Sequence, residues 1–183
     1  MSDASVPEAD RLGDAPHPRD TPVLFGQDAA QGAFLDAYAQ ERLHHAWLIT
    51  GPRGVGKATL AWRIARFLLA EAPVEAGMFG APAPPTTLDI DPEHPVARRV
   101  AAGSEARLFL VRRSWDAKTK RLKSTIGVDE VRWLKSFFAM SAADGGRRVV
   151  IVDAADEMTV NAANALLKVL EEPPERCTLL LIS

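Results

Sequence analysis

A glycine-rich segment between a strand pattern and a helix pattern constrains the fold of this chain more than any other feature. Residues 46–50, AWLIT, form a short apolar run, and residues 57–70, KATLAWRIARFLLA, repeat apolar side chains at helical spacing. Between them lie residues 51–56, GPRGVG. Further apolar runs alternate with helical patterns along the chain, as in a parallel sheet covered by helices. The sequence therefore predicts a three-layer α/β fold with a ligand site at the carboxyl ends of its strands.

The same segment matches most of a phosphate-binding loop, which reads G-x-x-x-x-G-K followed by Ser or Thr. Gly51, Gly56 and Lys57 are in register, but Ala58 stands where a magnesium-holding hydroxyl is expected. Such a loop points backbone N–H groups and the positive end of a helix dipole at a phosphate. An ordinary glycine turn between a strand and a helix is the structural alternative. The predicted nucleotide-binding residues are Gly51, Pro52, Arg53, Gly54, Val55, Gly56, Lys57, Ala58, Thr59 and, from a later strand, Asp153.

Asp153 follows a second apolar run, residues 149–152, which predicts a strand with both faces buried. In a P-loop ATPase an aspartate at this place binds magnesium, and the next residue is commonly the Glu that activates water. Here the next residue is Ala154. Thr59 and Asp156 are displaced along the chain from the two functional positions, so we expect them to point elsewhere. A solvated strand end is the alternative role for Asp153.

Three stretches carry a resemblance to a known family: LFGQDAAQGAFLDAYAQERL, HHAWLITGPRGVGKATLAWRIARFLL and SAADGGRRVVIVDAADEMTVNAANALLKVLEEPPERCTLLLIS. Together they resemble the clamp-loader branch of the AAA+ ATPases, and within it the delta-prime subunits of bacterial DNA polymerase III. The resemblance covers residues 22–183 and is most specific at residues 164–174, NALLKVLEEPP. The gamma/tau motor subunits resemble one another in keeping Ser or Thr after the loop lysine and Glu after the strand aspartate. This chain has Ala58 and Ala154 instead.

The resemblance implies a subunit that does not hydrolyse ATP and has no catalytic residues of its own. It would act in DNA replication as a stator within the DNA-directed DNA polymerase (nucleotidyltransferase) holoenzyme. Its implied partners are the gamma/tau and delta clamp-loader subunits, with the sliding clamp and primer-template DNA reached through the assembled complex. No cofactor is required, and ATP or ADP held without hydrolysis is left open. The alternatives are an active gamma/tau-like ATPase with an unusual P-loop and an unrelated P-loop binding protein.

The domain organisation predicted from composition is one domain with a tail. Residues 1–20 are acidic and Pro-rich without an apolar core, which predicts a disordered tail and neither a signal peptide nor a membrane anchor. Residues 21–183 form the AAA+ domain, interrupted by a Pro-rich insertion at 71–95 that leaves no room for a regular element. The resemblance implies that the domain is incomplete and that lid and collar domains follow it in a longer protein.

Charge and cysteine content limit the ligands that the chain can bind. The net charge of -2 gives no general attraction to nucleic acid. The sequence has a single cysteine and no long apolar run, so we expect a soluble, cytoplasmic protein without a membrane partner. Many members of the resembled family carry a four-cysteine zinc module at the position of the insertion, but Cys177 is the one cysteine here, so no zinc is expected. The basic run at 118–123 fits a solvated hairpin tip better than a DNA contact. His44 and His45 are expected to cap or pack.

Overall fold

The protein is a four-stranded parallel sheet with helices on both faces. The computed structural model describes residues 6–21, 23–70, 83–140 and 146–183. The helices are α1 (Asp28–Ala39), α2 (Lys57–Ala70), α3 (Pro95–Ala101), α4 (Val128–Met140) and α5 (Val160–Glu171). The strands are β1 (Ala46–Ile49), β2 (Leu108–Arg112), β3 (Trp115–Asp116), β4 (Arg121–Leu122), β5 (Arg148–Asp153) and β6 (Cys177–Ile182). The α/β class predicted from the sequence is confirmed.

The strand order places the glycine loop and Asp153 at the same edge of the sheet. The order is β1-β6-β5-β2, and all three pairings are parallel. Ile182 of β6 lies between Ile49, the last residue of β1, and Asp153, the last residue of β5. Adjacent strands are about 4.8 Å apart, so these two strand ends are separated by roughly 10 Å. The carboxyl edge is therefore the place where the predicted site residues meet.

Strand β5 joins two hydrophobic cores because its side chains alternate between the faces of the sheet. Val149 and Ile151 pack on one face in a core with α2, and Val150 and Val152 pack on the other in a core with α4 and α5. All four are at most 1% exposed. The prediction of a strand buried on both faces is confirmed, and the central position of β5 fixes Asp153 at its end.

The N-terminal segment differs from the prediction of a disordered tail over residues 1–20. Residues 1–5 lie outside the described residues, but residues 8–10 and 17–19 are at least partly buried against the domain, with exposed residues 11–16 between them and a short 3-10 turn at Pro18–Asp20. His17 is 1% exposed, and the carboxylate of Asp10 forms an ion pair with Arg112 of β2. Composition predicted disorder because it shows many charges and few apolar residues, and it cannot show that the cationic partner lies about a hundred positions away.

The described part of the Pro-rich insertion is irregular up to residue 94. Residues 71–82 lie outside the described residues, and residues 83–94 contain no helix or strand. Leu88 is buried, and Asp89 pairs with Arg63 of α2 at 2.6 Å. The prediction of an insertion without regular structure extends one residue too far, because Pro95 begins α3. Proline is favoured at the first position of a helix, where its missing N–H has no partner to lose.

The remaining segments follow the sequence-based expectations closely. β3 and β4 form an antiparallel hairpin whose exposed tip carries the basic run. His45 contacts the carbonyl of Leu170 through Nε2 at 3.1 Å, so it packs between β1 and α5 as expected. In the described part of the chain, no helix is long and apolar enough to cross a membrane.

Candidate nucleotide site

The glycine loop is an open turn at the carboxyl end of β1. Residues 51–55 are exposed, and the loop leads directly into α2, which begins at Lys57. The N–H groups in the first turn of a helix have no intrahelical acceptors and carry the positive end of the helix dipole. The predicted geometry of strand, loop and helix is therefore present, with its donors at the carboxyl edge of the sheet.

Gly56 is required by its conformation and by a close neighbour. Its φ is +91°, in the region that side chains rarely adopt. A Cβ on this residue would lie 2.6 Å from Cδ1 of Leu24, which is too close for any real contact. Leu24 thus packs directly over the loop backbone. The next residue is Lys57, the lysine of the motif and the first residue of α2.

Lys57 binds its own loop. Its Nζ donates to the carbonyl of Gly51 at 2.5 Å and to the carbonyl of Pro52 at 2.9 Å. The ammonium group therefore sits inside the curve of residues 51–56, where a bound phosphate would meet it. These contacts join the start of α2 to the first two residues of the loop.

A magnesium-dependent site would need a hydroxyl at position 58 and a carboxylate at position 154, and both residues are alanines. Ala58 packs against the core around α2 and offers no oxygen. Thr59 is half-buried and lies about 100° further round the helix, so its hydroxyl does not replace the one missing at 58. Ala154 follows Asp153 without a carboxylate, and Asp156 is exposed in the 3-10 turn at Ala155–Glu157.

Asp153 occupies an electrostatically unfavourable position at the end of β5. Burial, together with the nearby carboxylates of Asp10 and Glu157, raises its pKa to about 6, although the charges of Arg112 and His17 oppose the shift. A carboxylate with a raised pKa at a strand end is typical of a functional position. Asp153 is partly buried, so its carboxylate is not a fully solvated strand end.

The structure brings the predicted site residues together and adds some that the sequence did not indicate. Residues 51–59 and Asp153 share the carboxyl edge of the sheet. Gln27 was missed: its Nε2 donates to the carbonyl of Val55 at 2.9 Å. Gln27 lies in the lead-in stretch that carried the resemblance, which was the available signal. Nothing in the sequence indicated that Asp10 and Arg112 lie next to Asp153.

Metal-binding clusters are absent from the described ranges. No group of three or more His, Cys, Asp or Glu side chains there is placed to hold a metal ion. Cys177 is buried in β6, and burial raises the pKa of its thiol to about 12. A thiol in this state stays protonated and is a poor metal ligand.

Comparisons with known proteins point to one family. The family described as "DNA polymerase III, delta subunit" matches residues 26–183. The chain is 40% identical to DNA polymerase III subunit delta' of Pseudomonas aeruginosa over 76% of its length. It is 32% identical to subunit delta' of Yersinia pestis over 76% of its length, and 30% identical to subunit tau of Bacillus subtilis over 86%. A solved gamma subunit-related protein of Thermotoga maritima is 28% identical with a TM-score of 0.34, over 48% of this chain and 29% of that one.

The matched relatives are much longer than this chain. The chain spans 37% of the P. aeruginosa protein, 36% of the Y. pestis protein and 24% of the B. subtilis protein. The similarity therefore concerns one part of each relative.

Proposed function

Since the chain belongs to the DNA polymerase III delta-prime family of clamp-loader proteins, we propose that it serves DNA replication as a clamp-loader subunit that holds nucleotide without hydrolysing it. One observation carries this proposal: the phosphate-binding parts of the loop are kept, while the residues at 58 and 154 are both alanines. In this proposal the site binds nucleotide, and neighbouring subunits hydrolyse ATP.

The residues present fit a nucleotide phosphate. The glycines leave the backbone open to close approach, the first turn of α2 offers N–H donors, and Lys57 supplies a cation at the loop. On binding, the lysine would exchange the carbonyls of Gly51 and Pro52 for phosphate oxygens. No step of this binding needs the side chain of residue 58.

The same residues do not fit a catalytic magnesium ion. Ala58 removes an oxygen ligand, and Asp153 is held in surroundings that disfavour its charged form. No carboxylate follows Asp153 to orient water, a role commonly worth about 10²-fold to 10⁴-fold in rate. Hydrolysis by this chain is therefore excluded from the proposal, as is zinc, for which the cysteine content gives no ligand set.

The partners in this proposal follow from family membership. The gamma/tau and delta subunits would be the neighbours, and the sliding clamp and primer-template DNA would be contacted by the assembled loader in the cytoplasm. The chain would act there as a stator, a fixed element against which the motor subunits move.

A gamma/tau-like ATPase is the second candidate, because the 30% identity to a tau subunit over 86% of the chain favours it.

Nucleotide binding and phosphate release, measured on the same sample, distinguish the two candidate functions. We expect ADP or ATP binding that depends little on magnesium, with phosphate release at background. Lys57→Ala should lose binding, and Lys118→Ala, which removes an exposed lysine at the hairpin tip, should keep it.

Ala58→Thr tests whether the missing hydroxyl at position 58 is the only reason for the expected lack of phosphate release. Because Ala154 is still present, we expect this variant to gain magnesium-dependent binding without useful turnover. Magnesium-dependent phosphate release by the unmodified protein, abolished by Lys57→Ala, would contradict the proposal and establish the ATPase. No nucleotide binding at all would leave the clamp-loader role without its nucleotide part.

A further inference from the structure

The N-terminal segment makes a buried ionic contact beside Asp153. The side chain of Asp10 is 2% exposed and pairs with Arg112, the β2 residue that lies directly across from Asp153 in the sheet register. Asp10 Oδ2 also lies 3.1 Å from Nε2 of His17. Glu8 bridges the group by pairing with Arg112 at 3.2 Å and with Arg19 at 2.9 Å. We call this group of five residues the clasp: Glu8, Asp10, His17, Arg19 and Arg112.

The clasp also holds the helix that carries the lysine of the loop. The ring of His17 meets the ring of Trp62 edge-on, with centroids 5.5 Å apart. Arg66 donates through Nη1 to the carbonyl of Arg19 at 2.6 Å. Trp62 and Arg66 are about one turn apart on α2, so the segment crosses the middle of that helix.

The next part of the same segment touches the glycine loop. Leu24 packs on the backbone at Gly56, and Gln27 donates to the carbonyl of Val55. One stretch of chain therefore contacts the Asp153 edge of the sheet at its start, α2 in its middle and the loop at its end.

We propose that residues 8–21 and 23–27 form a tether that couples the glycine loop to the Asp153 edge of the sheet, with the clasp as its lock. The two halves of the site are separated by β6, so they have no direct contact through neighbouring strands. The packing of β5 against α2 connects them through the core, and the tether adds a second connection from outside the sheet. A change of the loop on ligand binding reaches the clasp through Leu24, Gln27 and α2, and a change of the clasp reaches the loop by the same route.

Asp10 is the residue on which the lock depends. Its carboxylate faces both Arg112 and His17, and removing its charge leaves Arg112 with Glu8 as its remaining partner. Breaking one side of a largely buried ion pair is costly, because the other charge stays poorly solvated. The segment should then detach locally, since it is held by this group and by few apolar contacts.

Hydrogen exchange of the nucleotide-free 183-residue protein tests the coupling. Asp10→Asn should speed exchange of residues 8–20 by at least about tenfold, and it should also speed exchange of residues 60–66 in α2. Arg112→Gln, which breaks the same pair from the other side, should give the same two changes. Asp14→Asn is the matched control, because it removes the same charge from an exposed position on the same segment. Circular dichroism verifies that each variant is folded.

Two results would overturn the tether. One is exchange in Asp10→Asn that equals the Asp14→Asn control, and the other is faster exchange confined to residues 8–20 with α2 unchanged. A second measurement rests on the proposed function: ADP should slow exchange of residues 8–20, and Asp10→Asn should weaken ADP binding several-fold by reciprocity. If the unmodified protein binds no ADP, the nucleotide part of the proposed function fails, and the nucleotide-free comparison still decides the tether.

Discussion

At the scale of single residues, two neighbouring aspartates show how surroundings decide ionisation. Burial alone would raise the pKa of Asp10, but contact with His17 and the charge of Arg112 together hold that pKa below its usual range. Asp153 lies in the same area without a comparable partner, and its pKa is raised to about 6. Asp10 is therefore a stabilising charge at neutral pH, whereas Asp153 is a destabilising one.

We expect Asp153→Asn to stabilise the protein at neutral pH. The pKa of Asp153 is higher in the folded state than the usual value of 3.8 for this carboxyl group, so protonation favours folding. The stability from this group is fully present below pH 3.8 and is lost as pH rises through 6. Removing the charge should raise the free energy of unfolding by about 1 kcal/mol at pH 7.5, after allowance for partial exposure, and by little at pH 4.5.

Urea unfolding at both pH values measures this effect. Asp156→Asn, which changes an exposed carboxylate three residues away, should have no comparable effect at either pH. An equal gain from Asp153→Asn at pH 7.5 and pH 4.5 would show that the effect does not arise from ionisation.

Gly56→Ala should destabilise the loop more than Gly54→Ala. Both glycines have positive φ, +91° and +87°, so each substitution introduces backbone strain of about 1–2 kcal/mol. A Cβ at Gly56 also meets Leu24, whereas a Cβ at Gly54 has nothing within 4 Å. The free energy of unfolding, measured in urea, and the affinity for ADP should both fall further for Gly56→Ala than for Gly54→Ala. Equal losses for the two variants would argue against the contact with Leu24.

The residues of the site were predictable from the sequence where the interaction is local. The loop at 51–57 could be predicted because a strand, glycines and a helix follow one another directly. Asp153 could be predicted because it ends an apolar run. The clasp could not, because Asp10 and Arg112 are a hundred positions apart and each looks like an ordinary surface charge in the sequence.

At the scale of elements, helix α5 depends on a side-chain cap. Oγ1 of Thr159 accepts a hydrogen bond from the N–H of Ala162 at 3.3 Å. Thr159→Ala should lower the free energy of unfolding by about 1 kcal/mol, while Thr159→Ser should keep most of it because serine retains the acceptor. Thermal unfolding followed by circular dichroism measures the difference. A serine variant as unstable as the alanine variant would indicate that the methyl group, not the cap, is important.

Helix α3 shows why some elements were missed. Its start looks like part of a Pro-rich loop, because the prolines of residues 71–95 indicate a segment without a regular element. Pro95 instead begins the helix, and Nδ1 of His94 accepts the N–H of Val96 at 3.2 Å as a cap. The position of a proline relative to the helix, rather than its presence, decides its effect.

At the scale of the whole molecule, β5 links the two cores through alternate side chains. Ile151→Ala and Val150→Ala each remove buried volume from a different core, and each should cost about 2–4 kcal/mol. Because both side chains belong to one central strand, the loss should weaken the entire domain in one transition. Fluorescence of a variant that keeps Trp62 and has its other three tryptophans replaced by Phe reports on one core, and circular dichroism reports on all helices. Separate midpoints for the two signals would show that the cores unfold independently.

The class of the fold was predictable from the alternation of strand and helix patterns, but the order of the strands was not. β6 is the last strand in the chain and yet lies between β1 and β5. Its apolar residues would suit any interior position of a parallel sheet, so composition does not distinguish among them. The position of β6 follows from tertiary packing alone.

The ammonium group of Lys57 is already bound to two carbonyl groups of its own loop, which would compete with a phosphate for it. In the proposed function, an incoming phosphate would replace two carbonyl groups that are already bound to the ammonium, so its affinity would reflect the difference between two lysine-bound states. Lys57→Ala consequently changes both sides of that balance, since it removes a phosphate ligand and also frees the carbonyls of Gly51 and Pro52. In that case the lysine would have two roles, as a ligand of the phosphate and as a brace that joins the two ends of the loop.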